Sequence, residues 1–91
     1  MYDVTVDNVG TVLRTKSLRE ALASFEGWVR QSMDGVGRAA GETVVFWDNG
    51  PDVEYSPEIG EFIVSPNAGP AVWDCVKRLR AYRNEKRRVR S

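Results

Sequence analysis

A chain of 91 residues with 42% hydrophobic residues and three each of Trp, Tyr and Phe has the length of one domain and enough apolar side chain for one modest core, which sets it apart from disordered chains. With no histidine and a single cysteine, Cys75, an internal disulfide, the usual zinc sites and a Ser-His-Asp triad are excluded. Lys/Arg and Asp/Glu balance at 13 each, but residues 1–73 hold five and eleven of them, and residues 74–91 eight and two. Such segregation belongs either to a basic arm for a polyanion or to an arm lying on its own acidic body.

In chain order, "YDVTV" alternates Tyr2, Val4 and Val6 against Asp3 and Thr5, the pattern of a half-buried strand. "DNVG" is a turn and "TVLRT" a second strand, so residues 2–15 are predicted to form a hairpin closed by four residues, with Gly10 free to take positive φ. "SLRE" reads as a capping box in which Ser17 accepts from the amide of Glu20 and Glu20 reaches back to the Ser17 amide. The helix it opens places Leu18, Ala21, Leu22, Phe25, Trp28, Val29 and Met33 on one apolar stripe. "TVVFWD" is a strand, "DNGP" a turn, "VEY" a returning strand, and "EFIV" a further edge strand before "SPNAGP" breaks the pattern.

A last helix starts near Pro70. Its stripe is Val72, Cys75, Val76, Leu79 and Tyr82, and the positions that would continue it are Arg83, Lys86 and Arg90. The helix is expected to dock and then outrun its core. The order β-β-α-β-β-(β)-α predicts an α+β fold of two layers, a mainly antiparallel sheet of 4–5 strands with two helices on one face. Residues 1–91 read as a single domain, with residues 84–91 a basic helical extension or tail.

The stretch "MDGVGRAAGE" raises the question of a phosphate-binding loop. Such a loop delivers its amides to a helix N-terminus, whereas this one follows a helix and precedes a strand and lacks the Lys-Ser/Thr pair. Gly35 or Gly37 stands instead where a helix takes its left-handed cap. Arg38 is then available to pin the loop to an acidic neighbour or to meet a partner.

"VTVDNVGTV", the helix ending "FEGWVRQS" and "GVGRAAGETVVFWDNG" together resemble small proteins encoded by bacteriophages and prophages, with a D-N-x-G, Y-V-x-Q-S and G-x-G-R-A-A-G-E pattern. The resemblance covers roughly residues 2–50, and the basic helix from residue 70 lies outside it. It implies an accessory protein without assigned enzymatic activity, one that acts by stoichiometric docking on a host or defence protein.

Among the function classes, catalysis has least to work with. Asp48, Asp52, Glu54, Glu58 and Glu61 cluster in the second half, but the pattern is that of a solvated face, and Cys75 has no base to activate it. No enzyme, cofactor or metal is expected. Nucleic-acid binding rests on "KRLRAYRNEKRRVR", with eight cations and Tyr82, against an acidic body that would repel a polyanion.

Protein binding is the preferred reading. Trp73 lies off the apolar stripe beside the basic face, a hot-spot pairing of Trp with Arg, unless it packs under "SPNAGP". The partner-binding candidates are Arg38, Trp73, Arg80, Arg83, Arg87 and Arg88, with Asp48, Asp52, Glu54 and Glu58 as a minor acidic patch. No apolar run reaches the ~20 residues of a bilayer span, and "MYDVTVDN" is unlike a signal peptide. The expected location is the cytoplasm of a bacterial host.

Overall fold

The computed structural model describes the backbone of residues 1–90 and the side chains of residues 1–86. The elements are β1 (Tyr2–Val6), β2 (Gly10–Thr15), α1 (Leu18–Asp34), β3 (Val44–Trp47), β4 (Pro51–Ser56), β5 (Glu61–Val64) and α2 (Pro70–Arg90). The five strands form one antiparallel sheet in the order β2-β1-β3-β4-β5. "EFIV" is therefore a strand and lies at an edge, and the architecture is α+β.

Alternation fixes which side of the sheet is covered. Register pairs Val4 with Leu13 and Phe46, Phe46 with Val53, Val53 with Val64, and Tyr55 with Val44 and Phe62. Most of these residues join one buried cluster with Ala21, Leu22, Phe25 and Val29 of α1 and Val72, Cys75, Val76 and Leu79 of α2, and Leu13 and Val64 pack against it half-buried. Phe46 is central, with the Tyr2 ring stacked at 5.8 Å and Phe25 edge-on at 6.4 Å. The other side of the sheet carries Asp3, Thr5, Val45, Trp47, Glu54 and Ile63, and the Trp47 indole N–H donates to Thr5 Oγ1 at 2.8 Å across β1 and β3.

Three local details differ from the sequence reading. The β1–β2 connection is three residues, 7–9, with Asn8 at φ 74° sharing the left-handed work with Gly10 at φ 100°. A register shift in β2, where Val4 faces Leu13 but Thr5 faces Thr11, breaks alternation there, so Val12 and Leu13 are both only half-buried. In the cap of α1, Ser17 Oγ accepts from Glu20 N at 3.1 Å, but the Ser17 amide donates to Thr15 Oγ1 rather than to Glu20.

The direction of the helices follows from the sheet. β2 and β5, the strands that precede the two helices, run the same way and finish at the same end. Both helices therefore begin at that end, lie on the same face, and run side by side in parallel.

Candidate functional site

The glycine loop is a helix terminator. Gly35 takes φ 69°, its amide donates to Ser32 O, and the Val36 amide donates to Gln31 O at 3.1 Å, the paired bonds of a Schellman motif. Gly37 and Gly41 repeat the left-handed conformation at φ 67° and 69°. Ser32, buried in a polar gap of α1, ties the far side of the loop: its hydroxyl donates to Glu42 O at 2.7 Å and its carbonyl accepts from Gly41 N. Ala39 enters the core completely buried. Arg38 is exposed and has no hydrogen bond or ion pair among the described residues, so backbone and Ser32 hold the loop, and Arg38 does not pin it.

The basic helix meets α1 at a constant offset. Arg78 donates to Glu26 through Nε at 3.0 Å and through Nη2, Arg30 lies 4.8 Å over the Tyr82 ring, and Lys86 donates to Asp34. These three rungs pair residue i of α1 with residue i + 52 of α2, and four-residue steps keep them on one line of each helix. Tyr82 also donates its hydroxyl to Asp34 at 2.8 and 3.0 Å. It stands at the rim, half-buried, rather than in the core stripe. The Lys86 ammonium first, and the Tyr82 hydroxyl with it, hold the Asp34 carboxyl below its usual range, and Asp34 in turn raises the Tyr82 phenol. Asp34 sits in the last turn of α1, where a carboxylate faces the negative end of the dipole, and Lys86 offsets that repulsion.

The opposite flank of α2 borders the free edge of β5. Trp73, Val76, Arg80 and Arg83, spaced i, i+3, i+7 and i+10, form one stripe. Arg80 Nε donates to Glu61 Oε1 at 3.2 Å, and Arg83 donates to the Gly60 carbonyl with its Nη1 3.7 Å from the same Glu61 oxygen. Glu61 Oε1 accepts from the amide of Phe62 at 3.0 Å, and that bond, then Arg80 and Arg83, hold the Glu61 carboxyl below its usual range. Trp73 remains 39% exposed, and Ile59 and Ile63, on β5 and the turn before it, are 65% and 56% exposed.

The structure therefore brings Trp73, Arg80 and Arg83 to one flank and leaves Arg38 on the loop that follows α1. The side chains of Arg87 and Arg88 lie outside the described residues. Of the acidic candidates, Asp48 and Asp52 share the β3–β4 hairpin end, Glu54 lies midway on the open side of the sheet, and Glu58 occupies the β4–β5 turn. Four steps of ~3.4 Å along β4 put about 14 Å between Asp52 and Ser56, with Glu58 beyond them in the turn, so these four do not form one row. Asp52 is nearly buried, and desolvation followed by the neighbouring Asp48 raises its carboxyl.

Cys75 is fully buried, and burial, reinforced by Glu26, pushes its thiol up to about 12. A thiol held protonated in this way is no nucleophile. Among the described residues no group of three or more metal-ligating side chains converges, and no helix is long and apolar enough to cross a membrane.

Sequence reasoning missed Ser32, Glu26, Asp34 and Glu61 as organising residues. For two of them a signal was present, because Glu26, Arg30 and Asp34 repeat the four-residue spacing of Arg78, Tyr82 and Lys86. Comparison with protein-family models, curated proteins and solved structures returned no match to this chain.

Proposed function

We propose that this chain is a non-enzymatic, phage-type accessory protein that docks stoichiometrically on a host or defence protein in the bacterial cytoplasm, as an inhibitor would. The observation that carries the reading is the exposed Trp73 on the flank of α2 that also carries Arg80 and Arg83, at the edge of the sheet where Ile63 is exposed on the other side. A Trp next to an Arg, rimmed by charge, is the composition of an interface hot spot. The resemblance of residues 2–50 to small phage proteins supports the biological setting.

The alternative, nucleic-acid binding through α2, is weakened by the ion pairs. Four of its cations, Arg78, Arg80, Arg83 and Lys86, already face carboxylates of the same molecule. A phosphate would have to compete with Glu26, Glu61 and Asp34 for them, and the body around it carries net negative charge.

The test is affinity capture from host lysate with and without nuclease, run beside the Trp73→Ala variant. A protein retained after nuclease and lost with Trp73→Ala supports docking. Loss of all partners after nuclease, together with a duplex shift that weakens steeply with salt, overturns it in favour of nucleic acid.

A further inference from the structure

We infer that the free edge of β5 is a strand-addition site for an extended segment of the partner protein, one that presents an acidic side chain to Arg80 and Arg83. This inference rests on the docking reading and names the segment that the flank would take.

The edge is described by its hydrogen bonds. Ser65 N donates to Asp52 O at 2.8 Å, so odd-numbered amides of β5 turn toward β4 and even-numbered ones turn away. Phe62 and Val64 thus point their amides outward, where a neighbouring strand would stand. The Phe62 amide is met there by the carboxylate of Glu61. By alternation the Glu61 side chain belongs with Ile63 and Glu54 on the open side of the sheet, yet its carboxylate is bent round the edge to Arg80 and Arg83. It occupies the position of a partner strand's carbonyl and supplies the negative charge that the two arginines face.

Two features show that the placeholder is incomplete. Arg83 Nε is buried and has no acceptor among the described residues, so Gly60 and Glu61 satisfy its guanidinium only in part. The side chains that flank the edge, Ile63 on the open side and Trp73 on the helix side, are exposed, although edge strands are ordinarily blunted with charge. An incoming strand that gives its carbonyl to Phe62 N–H and an acidic side chain to Arg80 and Arg83 would release Glu61 to the open side and cover Ile63 with its alternate residues.

The test uses a blocked octapeptide of alternating valine and glutamate, with a valine–lysine peptide as control, titrated into the full-length protein and followed by backbone amide NMR. The expected result is saturable movement of the Phe62 and Val64 amides by the glutamate peptide alone, at millimolar concentration or below. Arg80→Gln should weaken it by about tenfold, as loss of one partner of a charge-assisted contact does, with the rest of the amide spectrum unchanged. Glu61→Gln, which removes the competitor, should tighten it. Still amides at several millimolar peptide, equal binding of the lysine peptide, or concentration-dependent movement of the same amides without peptide, which would make a second copy the occupant, each overturn the inference. If lysate capture depends on Trp73 while the edge amides never move, docking stands and strand addition falls. If the peptide binds but no nuclease-resistant partner is captured, the edge site stands and the docking reading falls.

Discussion

The two helices begin at the same end of the sheet and run in parallel on the same face, yet they are held by different means. In α1 the apolar stripe extends along the whole helix, with Ala21, Leu22, Phe25 and Val29 buried, a Ser cap at the start and a glycine cap at the end. In α2 the apolar stripe stops at Leu79, and from there the contacts with the body are ionic: Tyr82 and Lys86 to Asp34 on one flank, Arg83 to Gly60 and Glu61 on the other. The difference explains the segregated charge. Two parallel helices bring both negative dipole ends to one side of the molecule, and the cations of α2 gather there, so at least part of the basic run is structural.

The comparison is broken most strongly at the core of α1. Phe25→Ala removes a fully buried ring packed edge-on against Phe46 and should lower stability by about 3–5 kcal/mol. Urea denaturation measures it, and a loss below ~1 kcal/mol would mean that α1 is not the anchor. A smaller loss of about 0.5–2 kcal/mol is expected for Ser17→Ala, because the Glu20 amide loses its acceptor. An unchanged melting temperature would show that Thr15 already suffices to start the helix.

These two sites also mark what was legible in the sequence. Periodicity and turn chemistry gave the strands, the capping serine and the apolar stripes, because burial of one face imposes a period on local sequence. Nothing local announces that Ser32 is buried, since a polar residue reads as surface until the loop that folds back onto it is seen. The partners of α2 were equally hidden, because Glu26, Asp34 and Glu61 are ordinary surface carboxylates until the fold brings a helix 52 residues downstream beside the first two. The acidic candidates failed as a single patch for the related reason that an extended strand separates Asp52 from Glu58.

The ionic half of α2 is tested by pH. Asp34 has its carboxyl lowered in the fold, so its contribution is fully present above the ordinary carboxylate range near pH ~4 and is lost as pH falls below it. Asp34→Asn should therefore destabilise modestly at pH 7, within the ~0–1 kcal/mol of an exposed pair, and approach the parent as pH falls through the lowered value of Asp34. Asp52 has the opposite sign. Its carboxyl is raised by burial, so the parent gains stability as pH falls through that raised value, and Asp52→Asn should be the more stable protein at pH 7 and lose the advantage in acid. Equal pH profiles for the two variants would contradict the assignment of an ion pair to one and desolvation to the other.

The smallest expected effect is at Arg38. The loop around it is fixed by Ser32, by three left-handed glycines and by the buried Ala39, and the arginine touches none of these supports with a hydrogen bond or ion pair. Arg38→Ala should change stability by no more than about 0.5 kcal/mol, the usual range for a surface side chain without partners, whereas Ala39→Arg would drive a charge into the core and should unfold the loop. The comparison between neighbours matters more than either value. If Arg38→Ala is silent in denaturation but weakens capture of a host protein, the surface past α1 belongs to the interface along with the Trp73 flank. If it is silent in both, the Gly-Arg-Ala-Ala-Gly-Glu stretch serves to end a helix and seat one alanine, and docking is confined to the α2 side of the molecule.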